Sequence, residues 1–295
     1  MKKYVSVDIG GTAIKYGIIS EDGIILERGE TKTEAQKGGP FVLSKAVEIV
    51  RQYKNKMELS GICISTAGMV DPAKGEIFHS APLIPQYAGT KFKETMEQTF
   101  HLPCEVENDV NCAGLAEYTS GAAKGSRIAL MLTIGTGIGG CLIWEGKVFH
   151  GFGNSACEVG YMRMGESDFQ TMGAASILTK KVALWKNESE EKWDGYRIFE
   201  AAKNGDEQCL QAIDEMADTL GMGIANICYV VNPEVVVLGG GIMAQKEFLE
   251  EKIEAAVKKY LIPIIASQTK IAFAEHKNDA GMLGAFYHLM SCQNI

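Results

Sequence analysis

The stretch Val5-Ser6-Val7-Asp8-Ile9-Gly10-Gly11-Thr12 constrains the fold more than any other. Val5 and Val7 alternate as the covered face of a strand, an acid follows, and two glycines let the backbone turn tightly with its N–H groups outward. Such a turn can cradle phosphate oxygens. Ile14, Tyr16, Ile18 and Ile19 then resume a strand, and Ser20-Glu21-Asp22-Gly23 turns the chain into Ile24-Ile25-Leu26. The glycine loop therefore closes a β-hairpin and does not open a helix. A P-loop, Gly-x-x-x-x-Gly-Lys-Ser/Thr running into a helix, occurs nowhere in the chain.

The opening pattern recurs. Ala129 to Ile134 reads as a strand, Gly135-Thr136-Gly137-Ile138-Gly139-Gly140 as a second glycine loop, and Cys141 to Phe149, turning at Glu145-Gly146, as a second hairpin. This is a weak internal repeat of one βββ unit. Gly135, Gly137 and Gly140 satisfy the dinucleotide spacing, but that motif requires a helix next and a hairpin follows instead. A third glycine loop, Gly239-Gly240-Gly241, ends the apolar strand Glu234 to Leu238.

Between these loops, periodicity predicts a helix from Pro40 with Phe41, Leu43, Ala46, Val47 and Val50 on one face. A strand from Leu59 to Ile64 ends in the small-residue loop Ser65 to Pro72. The strand Pro103 to Glu107 delivers Asn108 and Asp109 at its carboxyl end, the edge where open α/β sheets bind ligands. A helix follows from Val110 to Tyr118, and Ser120 to Ser126 is the candidate hinge. A long helix spans Asp206 to Val231 and stops at Asn232-Pro233. A strand from Lys270 to Ala274 precedes a last helix with Asp279 as its expected N-cap.

With 295 residues the chain has the length of about two domains. A net charge of -8 without any basic block argues against a nucleic-acid partner. No signal-peptide core precedes the first strand and no run approaches a membrane span, so the expectation is a cytoplasmic protein without membrane association. The eight cysteines are dispersed with no Cys-x-x-Cys pair and read as buried, reduced thiols.

Glycine loops at strand ends, two of them inside hairpins, suit a nucleotide held between two similar halves. Its phosphates would meet the N–H groups of Gly10, Gly11 and Thr12 and of Gly135, Thr136 and Gly137, with the Thr12 and Thr136 hydroxyls as further donors. Thr133, Gly239, Gly240 and Gly241 complete the candidate cofactor set. Asp8 would face Mg²⁺, directly or through water. Asp109 reads either as a base for a substrate hydroxyl or as the N-cap of its own helix, and local sequence leaves both open.

The order Asp8-Ile9-Gly10-Gly11-Thr12, Glu107-Asn108-Asp109 with Asn111, Ile134 to Gly140, Glu158-x-Gly160 and Leu238 to Gly241 resembles the ROK family of sugar kinases, within the actin-like ATPase superfamily, over nearly the whole chain. The resemblance implies an α/β fold of two actin-like, ribonuclease H-like lobes, each a mixed sheet with flanking helices and the active site in the interlobe cleft. The N-terminal lobe would comprise residues 1–120 completed by the helix 279–295, and the C-terminal lobe residues 121–278. It further implies ATP as donor, Asp109 as base, and Gly68, Asn108, Asp109 and Glu158 on the sugar. Homodimers are common in the family and are expected here.

Two departures refine this. The family's usual Glu-x-Gly-His reads Glu158-Val159-Gly160-Tyr161, and Met162 to Met172 contains no cysteine, so no zinc site is expected. The pattern is similar to the zinc-less branch with bacterial β-glucoside kinases, which phosphorylate the 6-hydroxyl of a glucose unit. Tyr161 would then offer a stacking surface for an aglycone, or serve as a core aromatic in place of a metal. Glucokinase and N-acetylmannosamine kinase are the alternatives within the enzyme class, and a non-catalytic sugar-sensing ROK protein is the alternative outside it. No room exists ahead of Asp8 for the helix-turn-helix that the family's repressors carry.

Overall fold

A computed structural model describes residues 1–293. The chain divides into two compact units. Unit 1 comprises Met1–Ser120, His150–Ala156 and the chain from Asn278 on; unit 2 comprises Gly121–Phe149 and Cys157–Lys277.

In unit 1, β1 (Lys3–Ile9) pairs antiparallel with β2 (Ala13–Ser20), which pairs antiparallel with β3 (Ile25–Lys32). Helix α1 (Gly39–Lys54) leads to β4 (Gly61–Thr66), parallel to β1. A short hairpin, β5 (Met69–Asp71) and β6 (Glu76–His79), and α2 (Phe92–Phe100) precede β7 (Cys104–Asn108), parallel to β4, and α3 (Asp109–Ser120). The sheet order is β3-β2-β1-β4-β7. β4 is buried along its whole length, as a central parallel strand covered on both faces must be. The C-terminal helix Ala280–Cys292 packs on α3 and on this sheet.

In unit 2, β8 (Ile128–Ile134), β9 (Ile138–Trp144) and β10 (Lys147–Val148) form the antiparallel part. A two-residue-strand hairpin, β11 (Arg163–Met164) and β12 (Ser167–Asp168), opens a helical run: α4 (Phe169–Gly173), α5 (Ala175–Trp185), α6 (Gly195–Lys203) and α7 (Glu207–Val231). Then follow β13 (Val235–Gly239), α8 (Lys246–Tyr260), α9 (Pro263–Ala266) and β14 (Lys270–Phe273), with both strands parallel to β8. The order β10-β9-β8-β13-β14 repeats that of unit 1, strand for strand. The weak sequence repeat therefore marks one topology used twice, and each copy encloses its own apolar core. The expected fold class, two mixed sheets of one topology with flanking helices, is the one observed.

Two local expectations are corrected. The covered face of α1 is Val42, Ala46, Ile49, Val50 and Tyr53. Leu43 and Val47 are half-buried and still pack against this core, whereas Phe41 does not, its ring lying under the ammonium groups of Lys37 and Lys45 at 4.5 and 5.6 Å. Asp279 makes no cap: its carboxylate accepts both the Nε–H and an Nη2–H of Arg28, at 3.1 and 2.9 Å, and the C-terminal helix starts without a side-chain bond. The expected end of that helix at residues 294 and 295 lies outside the described residues. Asp206 does cap α7, accepting from the Cys209 N–H at 3.0 Å, and Asn232 ends that helix in the left-handed region. All eight cysteines are free; six are buried, Cys157 is half-buried and Cys292 is exposed.

Candidate active site

Sheet register assembles the site of unit 1. Asp8 of β1 pairs with Ser65 of β4, which pairs with Glu107 of β7, and one step on Ile9, Thr66 and Asn108 form the next row. Parallel strands end on the same side, so Asp8, the Ser65 loop and Asn108-Asp109 meet at one sheet edge. The Ser65 hydroxyl donates to Asp8 Oδ1 at 2.6 Å. The Gly10–Thr12 turn is held by the Thr33 hydroxyl donating to the Gly10 carbonyl at 2.6 Å, while the Thr12 side chain is exposed. Gly281, in the first turn of the C-terminal helix, lies against Asp8 so closely that a Cβ there would run into the carboxyl group.

Asn108, not Asp109, caps α3. Its Oδ1 accepts the N–H groups of Val110 and Asn111 at 2.9 and 3.1 Å, and its Nδ2 donates to the Gly68 carbonyl at 2.9 Å and to Asp109 Oδ1 at 3.0 Å. Asp109 Oδ1 also accepts the Val110 N–H at 2.9 Å. The Asp109 carboxyl is thus anchored through Oδ1. Burial first, and then the nearby Asp8 charge, raise Asp109 from an ordinary 3.8 to about 7, against the hydrogen bonds that lower it. Asp8 is raised too, chiefly by burial, with the Ser65 hydroxyl and the Lys15 charge opposing. Lys15 itself donates to Asn278 Oδ1 at 3.0 Å.

Glu107 lies behind this pair, fully buried. Its Oε1 accepts the Asn108 N–H at 2.7 Å and Asn111 Nδ2 at 2.9 Å; its Oε2 meets His150 Nε2 at 2.6 Å and lies 3.8 Å from His288 Nδ1. Among the described residues, Glu105, His288 and Cys292 form the one His/Cys/carboxylate group close enough to converge on a metal, and Lys93 already ion-pairs with Glu105 at 2.8 Å.

In unit 2, Thr133 is the penultimate residue of β8, and the Gly135 to Gly137 turn closes β8 on β9, with the Gly135 N–H donating to the Gly137 carbonyl at 2.9 Å. The start of α5 is tied to it: Ser176 donates its hydroxyl to the Thr136 carbonyl at 2.6 Å and its N–H to the Gly135 carbonyl at 3.3 Å. Gly239 ends β13 beside Thr133. Gly240 follows at φ +99°, with its Cα against the Ile134 backbone, a position that admits no side chain. Gly241 lines a cavity of about 610 Å³ together with Ala175, Ser176, Thr179, Trp193, Tyr196 and Ile242. Trp193 is fixed there by Nε1 donating to Glu188 at 3.0 Å, with Lys186 5.4 Å from its ring. A larger groove of about 790 Å³ between α4, α5 and α7 holds none of the candidate residues.

Glu158 precedes the turn Val159–Tyr161, and both Glu158 and Tyr161 are exposed. The Tyr161 ring is 57% accessible, which removes its reading as a core aromatic. Gln170 of α4 reaches both loops, since its Oε1 would meet an added Cβ at Gly137 at 2.7 Å and at Gly160 at 3.0 Å.

Unit 1 therefore gathers Asp8, Gly10, Gly11, Thr12, Gly68, Asn108 and Asp109, and unit 2 gathers Thr133, Gly135 to Gly137 and Gly239 to Gly241 on one sheet edge. Sequence reasoning did not single out His150, Ser176, Gln170, Trp193 or Tyr196. His150 is one of only five histidines, which is the one signal that could have drawn attention to it.

The ROK family model matches residues 4–291. A glucokinase of Halalkalibacterium halodurans is 30% identical over 99% of this chain and 96% of that protein. A β-glucoside kinase of Listeria monocytogenes is 30% identical over 99% of both chains. The crystal structure of a ROK family glucokinase from Streptomyces griseus, in complex with glucose and AMPPNP, superposes with a TM-score of 0.84 at 25% identity, covering 96% of this chain and 97% of that one. A match that spans both sheets and every glycine loop leaves one conclusion: the chain belongs to the ROK family.

Proposed function

We propose that this chain is an ATP- and Mg²⁺-dependent sugar kinase that moves the γ-phosphoryl group to a sugar hydroxyl, the 6-hydroxyl of a glucose unit in a β-glucoside. The observation that carries the reading is the Asp109 carboxyl at the end of β7, anchored through Oδ1 next to Asp8 and raised to about 7. A carboxylate of that strength near neutral pH accepts a proton from an attacking hydroxyl far better than an ordinary aspartate. Gly68, Asn108 and Glu158 are the sugar contacts in this reading, and Asn108 is held rigid by its cap of α3.

The donor set fits the nucleotide. The Gly10 and Gly135 N–H groups close their own turns on the Ala13 and Gly137 carbonyls at 3.0 and 2.9 Å, which leaves the N–H groups of Gly11 and Thr12 in unit 1 and of Thr136 and Gly137 in unit 2 as the phosphate donors of this reading; the cavity at Gly241 has the aromatic wall that a purine stacks on. Asp8 offers a hard oxygen ligand, which suits Mg²⁺ held directly or through water. When bound, the ion neutralises phosphate charge as it develops. Tyr196→Ala, at an exposed ring of the cavity wall, is expected to raise the KM for ATP ~10-fold and leave the sugar KM unchanged, as loss of one stacking face predicts.

The substrate reading is tested by coupled ADP release with Mg-ATP against glucose, N-acetylmannosamine, N-acetylglucosamine, cellobiose and gentiobiose. The exposed Tyr161 ring favours the β-linked disaccharides, and Tyr161→Ala should then lower kcat/KM for gentiobiose ~10-fold while sparing glucose. A preference for glucose or an N-acetylated hexosamine would reassign the acceptor. Silence on every sugar would overturn the kinase reading and favour the sugar-sensing alternative.

A further inference from the structure

His150 reaches the site by an unusual route. The chain leaves unit 2 after Phe149 and returns at Cys157, and the seven residues between belong to unit 1. The Ala156 N–H closes this segment on the His150 carbonyl at 3.1 Å, with Gly151 and Asn154 at positive φ. At the base of the segment His150 is tied to Glu107 by its Nε2 at 2.6 Å. Glu107 in turn accepts the Asn108 N–H, and the Asn108 amide donates to Asp109, so three consecutive hydrogen bonds join His150 to the proposed base.

The electrostatics favour the charged form of both partners. Burial lifts Glu107, but the His150 bond and the charges of His288 and His150 outweigh it and hold the carboxyl below its ordinary value. Burial lowers His150, but Glu107 outweighs it and leaves the imidazole above its ordinary value. His288 is lowered, chiefly by burial, against the pull of Glu107. Removing the imidazole would leave a fully buried carboxylate with amide donors alone, a state a protein relieves by protonating the acid or shifting its neighbours. Either response loosens the bonds that set Asn108 and Asn111.

We propose that His150 is a positioning residue of the phosphoryl transfer: its bond to Glu107 holds the Glu107–Asn108 frame that aims the Asp109 carboxylate at the acceptor hydroxyl. The inference rests on the kinase reading above. A displacement of the base by about 1 Å is enough to cost roughly 100-fold in rate.

The test uses the full chain with its best acceptor sugar. His150→Ala is expected to lower kcat ~50-fold with the ATP KM close to wild type, since the phosphate loops are not touched, and to lower Tm, since the buried Glu107 carboxylate loses its partner. His150→Gln, whose Nε2–H can donate to the same Glu107 oxygen, should recover most of that loss, whereas His150→Asn, one carbon too short, should not. Should the alanine variant fail to fold, the Gln and Asn pair decides alone. Wild-type kcat in His150→Ala, or equal rates for Gln and Asn, overturns the inference while the kinase reading stands. An inert wild-type protein overturns both.

Discussion

Asp109→Asn should abolish phosphoryl transfer, lowering kcat by about 10³-fold while sugar binding measured by calorimetry changes little. The amide keeps the shape and still accepts the Val110 N–H, so the cap of α3 by Asn108 survives. What it loses is the capacity to take a proton. In the wild-type protein the same group sets the pH profile: with its carboxyl raised to about 7, kcat/KM should fall tenfold per pH unit below that value and level off above it. The group also bears on stability. Because its folded value lies above its ordinary 3.8, it favours the folded state fully below about pH 4, and that contribution is lost as pH rises through 7. Asp109→Asn, which cannot ionise, should therefore melt higher than wild type, with a gain larger at pH 8 than at pH 5. A variant that keeps its turnover removes Asp109 from the mechanism, and a gain in Tm independent of pH refutes the buried charge.

Gly284→Ala should produce the largest loss of stability of any single methyl added to unit 1. The C-terminal helix crosses α3 with Gly284 seated on the Cys112 backbone carbonyl, where a Cβ would overlap backbone that cannot swing aside. Overpacking of a rigid contact costs about 1–3 kcal/mol, which corresponds to ~2–5 °C in Tm for a chain of this size. The consequence reaches the site, because the same helix carries Gly281 over Asp8 and α3 begins with Asp109. Displacing α3 to relieve the overlap moves Asp109, its first residue, relative to Asp8 on β1 and weakens the Coulomb effect that helps to raise Asp109. Thermal melting together with the pH–rate profile checks this: a lowered Tm and an acid limb moved below 7 are expected. An unchanged Tm would mean that the helix slides along α3 without cost.

Much of the site was legible in advance because its parts are short. A strand ending in Asp-x-Gly-Gly-Thr, or in Glu-Asn-Asp, states its local chemistry within a few residues, and the glycine loops announce themselves by composition. The division of labour between Asn108 and Asp109 was not legible, since both residue types cap helices well and only the bonds to Val110 and Asn111 assign the cap to Asn108. Asp279 misled for a related reason: its residue type suits an N-cap, but Arg28, far away in the chain, offers its carboxylate a bidentate partner. On α1 the face was misjudged because Phe41 is held at the surface by two ammonium groups that a hydrophobic periodicity does not count.

The sequence by itself determined the hairpins, the parallel strands and the order of the glycine loops, because periods of 2 and 3.6 residues and the backbone freedom of glycine act over a few positions. Tertiary structure alone decided which side chains meet. Asp8, Ser65 and Glu107 come into one row through the register of three strands, and Glu107 finds His150 across 43 positions. The raised carboxyl of Asp109, the buried Glu107–His150 bond behind it and the aromatic cavity at Gly241 are all properties of groups brought together from distant segments. Desolvation and Coulomb forces depend on distance in space, and no pattern within a short window of residues encodes that distance.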